Sequence, residues 1–174
     1  WTAVAPTVTA GSDQTLTVGE SFTPSATGTA STGQSISYSA SDSNWTVVNH
    51  VDTTKAGSYT VTYTYKDPTT GVSSNTATQT VKVTAKATYT ITYDANGGSG
   101  APSAGSVTSG SSYTLSSTVP TKSGYSFSGW LGSDGNTYQA GATLSNVTSN
   151  LTLKAQWTAV APTVTAGSDQ TLTV

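Results

Sequence analysis

Few side chains in this sequence could do acid–base or metal chemistry, and they are scattered along the chain. The 174 residues include one histidine, His50, and one glutamate, Glu20, and they include no cysteine, methionine or arginine. A catalytic site needs an acid, a base and an orienting group within mutual reach, and the nearest carboxylate to His50 in the sequence is Asp52. We therefore expect His50 to be an ordinary strand residue, and we predict no catalytic residue, cofactor or metal site.

Two short motifs place carboxylates and amides together. Asp94-x-Asn96-x-Gly98 faintly resembles the start of a calcium loop, but the bidentate glutamate that such loops use is absent downstream. Residues 133–136 (SDGN) have the same character. Asp and Asn side chains commonly bond to nearby backbone in turns, and Asn96-Gly97 suits a positive φ. We therefore expect both motifs to be turns.

Two aromatic residues are candidates for binding rather than catalysis. Trp45 and Tyr138 lie outside the clearest alternating patterns, so each is a candidate for an exposed platform on which a sugar ring stacks. Single aromatic residues are also ordinary on protein surfaces, and packing is the competing interpretation. Trp130 and Trp157, by contrast, are expected in the core.

Hydroxyl side chains dominate the composition. Thr (37) and Ser (27) fill 64 of the 174 positions, whereas charged residues make up 8%, against about 25% in ordinary globular domains. Six lysines against eight acids give a net charge of −2, which is not the basic surface that a nucleic-acid partner requires. No apolar run approaches the ~20 residues that cross a bilayer, so we expect no membrane insertion by this segment.

A long internal repeat frames the chain. Residues 1–18 (WTAVAPTVTAGSDQTLTV) recur unchanged as residues 157–174, at an offset of 156. Solenoid repeats have periods of about 20–50 residues, so this longer unit must contain whole domains joined as beads. We expect a parent protein with near-identical tandem units, in which residues 1–2 end one unit and residues 158–174 are the first strands of the next.

The first half of the unit has the pattern of an all-β sandwich. Seven short strands separated by turn residues are predicted, and the clearest is SYTVTYTYK. In this segment Tyr59, Val61 and Tyr63 alternate with threonines, so one face is expected in the core and the other in water. The predicted strands are 6–10, 14–18, 21–26, 35–40, 45–51, 58–66 and 76–84.

Part of this half resembles a known family. TTKAGSYTVTYTYKD, preceded by PTVTAGSDQTLTVGESFTP and followed by SNTATQTVKV, resembles a bacterial immunoglobulin-like domain of cell-surface proteins, over residues 3–84. The resemblance implies a β-sandwich in which Tyr59 forms a tyrosine corner and Val61 occupies the position of a disulfide cysteine. Packing alone must then hold the sandwich together.

A second pattern follows a short linker at residues 85–87. YDANGG, PTKSGYSFSGW and LTLKAQW occur in that order within residues 88–157 and are similar to a Listeria/Bacteroides repeat of the internalin B-repeat type. The resemblance implies a small β-grasp-like domain, with its short helix reduced to at most one turn at 115–119. No strand is predicted in the serine-rich stretch 99–112. Strands are predicted at 89–93, 112–115, 124–130 and 151–157.

These observations predict a non-catalytic structural module. We expect beads in tandem that form the stalk or filament of an extracellular adhesin on the bacterial cell surface, with neighbouring identical repeats as partners. Few ionisable groups mean that pH and salt should change its stability little. The alternative is a glycan- or host-protein-binding module of the same kind of surface protein.

The second copy of the repeated segment suggests a further contact. Residues 158–174 duplicate strands that the first domain already has, so they could pair with a neighbouring chain or displace its residues 1–18. The residues expected in such a strand exchange or inter-repeat contact are Thr163, Val164, Leu172 and Val174.

Overall fold

A computed structural model of the protein describes residues 2–162. The described residues form fourteen β-strands and no helix, and the chain divides into two compact units between Lys86 and Ala87. The all-β fold class is therefore confirmed. The strand-exchange candidates all lie outside the described residues: Thr163, Val164, Leu172 and Val174.

The first unit contains seven strands in two sheets. The strands are β1 (Thr7–Ala10), β2 (Gln14–Thr17), β3 (Ala26–Thr29), β4 (Ser35–Ser37), β5 (Trp45–Asn49), β6 (Gly57–Tyr65) and β7 (Ala77–Thr84). One sheet has the order β1-β3-β4 and the other the order β2-β7-β6-β5. All neighbours are antiparallel except β2 and β7, which are parallel. Seven strands in two sheets are what the sequence predicted.

The core of the first unit draws on both sheets. Val61, Tyr63 and Val81 in the larger sheet are fully buried, and Val8 and Ala26 contribute from the smaller sheet. Along β6 the buried residues alternate with threonines that are only half-buried or exposed. This alternation explains much of the threonine content, because every second side chain of such a strand faces away from the core.

One predicted strand of this unit is displaced. The sequence predicted a strand at 21–26, whereas β3 begins at Ala26. Pro24 has no N–H to donate, and the N–H of Ser25 donates to the hydroxyl of Tyr63 at 3.1 Å. The N–H of Ser25 is therefore bonded to a side chain of β6, while its carbonyl accepts from the N–H of Gly11, just after β1, at 2.8 Å.

The tyrosine corner is present as predicted. The hydroxyl of Tyr59 donates to the carbonyl of Lys55, four residues upstream, at 3.0 Å. Val61, at the position of the missing cysteine, is fully buried. The corner fixes the chain at the start of β6, and apolar packing takes the place of the disulfide.

The second unit is built on a mixed sheet of five strands. Its seven strands are β8 (Thr88–Asp94), β9 (Gly105–Thr108), β10 (Tyr113–Thr114), β11 (Tyr125–Gly132), β12 (Thr137–Tyr138), β13 (Thr143–Leu144) and β14 (Leu151–Ala159). The sheet order is β12-β11-β14-β8-β9, and β10 pairs with β13 apart from it. The central pair β8 and β14 is parallel. The β-grasp-like detail of this unit stays a prediction.

The serine-rich stretch 99–112 contains a strand that the sequence analysis missed. Strand β9 pairs with β8, and its Val107 is 7% exposed in the core. Only one large apolar side chain marks this strand, so alternation gave no signal. At 115–119, where at most one helical turn was expected, Leu115 is buried in the same core and no helix forms within the described residues.

A β-bulge places both aromatic residues of the FSGW motif in the core. The pairing of β11 with β14 shifts register between Phe127 and Gly129, and Gly129 has a φ of 144°. Residues three apart on a regular strand point to opposite faces. The bulge instead lets Phe127 pack against Trp130, with ring centroids 5.0 Å apart, and a glycine suits the required backbone conformation.

Replacing Tyr59 with phenylalanine should destabilise the first unit. The substitution removes the bond to Lys55, and one such hydrogen bond contributes about 1 kcal/mol to folding. The midpoint of thermal unfolding of this unit should fall by roughly 4–8 °C in calorimetry. Tyr125→Phe is the control, because Tyr125 is 44% exposed. Equal midpoints for the two variants would mean that the corner does not stabilise the fold.

Candidate functional site

A depression of about 330 Å³ lies in the second unit beside Tyr138. Its lining comes from Asp134 and Tyr138, from residues 143–149, and from Leu151. Polar side chains along 143–149 are exposed, whereas the apolar side chains of this segment are buried in the core. The depression is thus a polar rim above an apolar base.

Strand pairing positions the aromatic residue of this depression, Tyr138, and a turn positions its acidic residue, Asp134. Tyr138 in β12 lies opposite Trp130 of β11. The turn at 133–136 connects the two strands: the N–H of Gly132 donates to the carbonyl of Asn136 at 2.8 Å. The N–H of Asn136 donates to Asp134 at 3.1 Å. The prediction of a turn at this motif is confirmed.

A short hydrogen bond joins Asp134 to Tyr138. The tyrosine hydroxyl donates to Oδ2 of the carboxylate at 2.5 Å. This bond is the main cause that lowers the pKa of Asp134, and the same bond raises the pKa of Tyr138. At neutral pH the carboxylate is charged and the phenol is neutral, so the bond holds the tyrosine ring in place.

The groups that line this depression can form hydrogen bonds and an aromatic contact. It offers one aromatic ring, one carboxylate, and the hydroxyl and amide groups of residues 143–149. Aromatic rings and groups that accept or donate hydrogen bonds are what a polyhydroxylated ligand needs. Within residues 2–162, no group of three or more His, Asp or Glu side chains lies close enough together to hold a metal ion. That Tyr138 stacks against a ligand stays a prediction.

Trp45 does not share that role, which corrects the expectation from the sequence. Its side chain is 8% exposed and lies in β5 opposite Tyr65. The ring packs against Tyr38 and Tyr65, with centroid separations of 5.8 and 5.3 Å. The alternation along β5 is too short to show this from sequence, and the indole presents no free face to a sugar.

His50 and Asp52 do not form a catalytic pair. His50 is exposed, just beyond the end of β5. Asp52 instead accepts hydrogen bonds from Thr54 and lies 3.6 Å from the ammonium of Lys55. The hydroxyl of Thr54 is the main cause of the lowered pKa of Asp52.

The buried carboxylate of the first unit, Asp67, is occupied by backbone donors. Asp67 is 1% exposed, and it accepts hydrogen bonds from the N–H groups of Ser31, Thr69 and Thr70 at 2.9 to 3.1 Å. The Ser31 N–H is the main cause that lowers the pKa of Asp67. Asp67 thus joins the loop after β3 to the loop after β6.

The other acidic motif is also a turn. The N–H of Asn96 donates to Asp94 at 2.8 Å. Asn96 and Gly97 have φ values of 49° and 81°, as the Asn-Gly pair predicted. This turn follows β8, and the amide of Asn96 in it donates to the carbonyl of Ala155 in β14.

Comparison with protein families gives two matches that together cover both units. Residues 9–84 match the model of the bacterial Ig-like domain, group 3. Residues 89–156 match the model of the Listeria–Bacteroides repeat domain. The chain joins a bacterial Ig-like domain to a Listeria–Bacteroides repeat domain. Both resemblances predicted from the sequence are therefore confirmed. Together, the two domains indicate a surface repeat module.

Two further findings bear on the context of these domains. A search of curated proteins found no match to the chain. None of the described residues belongs to a helix with the length and apolar character needed to span a membrane.

Sequence reasoning missed the role of Asp134 in the repeat domain. Asp134 was interpreted only as a turn residue, although Tyr138 follows it by four positions. In a tight hairpin these two positions can lie side by side, so the spacing itself was the available signal. The turn geometry at 133–136 was needed to show that the hydroxyl reaches the carboxylate.

The stability of both domains should be flat near neutral pH and fall in acid. Asp67 in the Ig-like domain and Asp134 in the repeat domain have folded-state pKa values below the unfolded value, which is about 3.9 for Asp. Each contributes stability that is present above about pH 4 and is lost as pH falls through the lower folded pKa. Calorimetry should give constant midpoints from pH 8 to 5 and declining midpoints below about pH 4.

The variants Asp67→Asn and Asp134→Asn test which carboxylate causes the loss of stability in acid. Asp67→Asn should reduce the decline of the Ig-like domain, and Asp134→Asn that of the repeat domain, each with a lower midpoint at neutral pH. A strong shift between pH 7 and pH 5 in the unmodified protein would contradict this account.

Proposed function

We propose that the chain is a non-catalytic repeat module of a bacterial surface adhesin, and that successive modules form an extracellular stalk or filament. The observation that carries this proposal is the exact recurrence of residues 1–18 as residues 157–174, around two domains of surface-protein families. Recurrence without a single change favours a tandem array whose partners are neighbouring identical repeats.

Short connections between domains support a stalk. Strand β7 ends at Thr84 and β8 begins at Thr88, so residues 85–87 are the linker that we assign between domains 3–84 and 88–157. Strand β14 ends at Ala159, two residues beyond the predicted end of this strand. The next three residues, 160–162, repeat residues 4–6 that precede β1. A linker of three residues is short, and a short linker is what the proposed stalk needs.

The arrangement of polar groups supports a structural role over a catalytic one. His50 is exposed, Asp52 is bonded within its own turn, and Asp67 is saturated by backbone N–H groups. Charged groups are few, and the absence of cysteine makes the fold independent of the redox state outside the cell.

Arrays of increasing length test the stalk. Proteins with one, two and three 156-residue units should show a maximum dimension in small-angle X-ray scattering that grows by an equal increment per unit. As the control, a Gly/Ser linker of about 15 residues replaces residues 85–87 and should give the scattering of beads on a flexible string. Compact particles at every length would overturn the proposal.

The depression beside Tyr138 favours a second function, which is the binding of a surface glycan or of a host protein. We favour a glycan, because the fixed ring of Tyr138 adjoins a carboxylate and a rim of hydroxyl and amide groups. A sugar ring stacks on an aromatic face while its hydroxyls bond to such groups.

A glycan array tests this second function. Binding by the unmodified protein should be lost in Tyr138→Ala and weakened in Tyr138→Phe, which keeps the ring but loses the bond to Asp134. Tyr125→Ala is the matched control, because Tyr125 is an exposed tyrosine that does not line the depression. Binding that survives in a folded Tyr138→Ala, or no binding by the unmodified protein, would exclude this role.

A further inference from the structure

Both domains pair an N-terminal strand with their last strand in parallel. In the Ig-like domain β2 pairs with β7, from Gln14 opposite Val81 to Thr17 opposite Thr84. In the repeat domain β8 pairs with β14, from Ile91 opposite Leu151 to Asp94 opposite Lys154. Two different sheet arrangements thus share a parallel pairing between an early strand of the domain and its last strand.

Side chains extend this pairing in the Ig-like domain. Before β2 the chain lies in the other sheet, where β1 pairs with β3, so a backbone ladder with β7 is not formed there. The Asn75 amide instead accepts from the N–H of Val8 at 2.8 Å and donates to its carbonyl at 2.9 Å. The Gln79 amide donates to the carbonyl of Ser12 at 2.6 Å.

These side-chain bonds keep the register of the strands. The N–H of Thr80 donates to the carboxylate of Asp13 at 2.7 Å. This bond and those of Asn75 and Gln79 all join residues 67 apart in sequence, and the β2–β7 ladder has the same offset. Residues 8, 12 and 13 are therefore bonded to residues 75, 79 and 80, and the β2–β7 ladder continues the same offset over residues 14–17 and 81–84.

The repeat domain extends its parallel pair at both ends. Before the ladder, the Asn150 amide accepts from the N–H of Thr90 at 2.8 Å. After the ladder, the Asn96 amide donates to the carbonyl of Ala155 at 2.8 Å, and the indole of Trp157 donates to the carbonyl of Ala95 at 3.1 Å. Side chains of β14, of Asn150 just before it and of the turn after β8 thus extend the hydrogen bonding of the parallel ladder beyond its backbone pairs.

Parallel pairing fixes how tension along the chain would load these bonds. The chain enters the repeat domain at the start of β8 and leaves it at the end of β14, and in a parallel pair these two points are at opposite ends. In the Ig-like domain the chain enters at β1, where Val8 is bonded to Asn75, and leaves at the end of β7, beyond the β2–β7 ladder, so these two points also lie at opposite ends of the bonded segments. Tension would slide the strands past each other and load all the bonds together. Pulling at adjacent ends would instead break them one at a time.

We propose that each domain is a tension-bearing element, in which the parallel pair and its side-chain extensions form a shear clamp. The side chains that extend the pairs are Asp13, Asn75 and Gln79 in the Ig-like domain and Asn96, Asn150 and Trp157 in the repeat domain. This proposal rests on the stalk function only in that a stalk transmits tension; the clamp itself is a property of each domain. Forced unfolding is governed by the unfolding rate under load, so resistance to force need not follow equilibrium stability.

The direction of pulling tests the clamp in the repeat domain. Because the chain has no cysteine, pairs of introduced cysteines define the attachment points for single-molecule force spectroscopy of the full chain. Ala87→Cys with Val160→Cys loads β8 and β14 in shear, whereas Ala87→Cys with Ser149→Cys peels them apart. All three positions are exposed. The unfolding force should be several-fold higher in shear, and equal forces would overturn the proposal.

A matched pair of variants tests the side-chain extension in the Ig-like domain. With attachment at Ala5→Cys and Ala85→Cys, Asn75→Ala should lower the unfolding force. Asn49→Ala is the control, because within residues 2–162 its amide bonds only to the N–H of Val51, two residues away and off the load path. Thermal midpoints of both variants separate a loss of clamp from a loss of folding. Equal unfolding forces in the two variants would show that Asn75 does not contribute to the clamp.

The outcomes for the clamp and for the stalk are distinguishable. If the arrays scatter as extended particles but the unfolding forces in shear and in peeling are equal, the stalk proposal holds and the clamp proposal is wrong. If the arrays are compact but the domains still resist shear, the clamp proposal holds and the stalk proposal is wrong.

Discussion

The parallel pairing of an N-terminal strand with the last strand is the interaction on which both domains depend. Fully buried core residues lie on these strands, with Val81 on β7, Ile91 on β8 and Leu153 on β14. The remaining strands of each larger sheet are added outward from the pair. The same contact therefore contributes residues to the core, fixes where the chain leaves each domain, and sets the direction in which the proposed clamp meets tension.

Neutral amide side chains join distant segments of this protein, a role that disulfides or ion pairs have in many other proteins. Asn75, just before β7, bonds to Val8 of β1, and Gln79 of β7 bonds to Ser12 between β1 and β2. Asn150 and Asn96 extend the pair in the repeat domain. Gln79 is fully buried with both ends of its amide bonded, which avoids the cost of a buried polar group without a partner. Such bonds do not titrate near neutral pH and cannot be reduced.

The sequence predicted the long alternating strands and both families, but it did not predict contacts that depend on distant partners. Strand β6 was predictable because Tyr59, Val61 and Tyr63 repeat with a period of two. Strand β9 has only one large apolar residue and forms because β8 lies beside it. Trp45 was misassigned for a related reason, since its burial comes from Tyr38 and Tyr65. In the candidate site, the aromatic residue was foreseen and its bond to Asp134 was not.

The repeated segment separates what sequence decides from what tertiary structure decides. Composition, alternation and the exact recurrence were enough to establish two β domains and to predict a tandem array. Yet Thr2 and Ala3 are in no strand, whereas the identical Thr158 and Ala159 belong to β14. The difference is the neighbour: residues 158 and 159 lie opposite residues 126 and 125 of β11. Strand backbone needs a partner for its N–H and C=O groups, and only the folded chain supplies one.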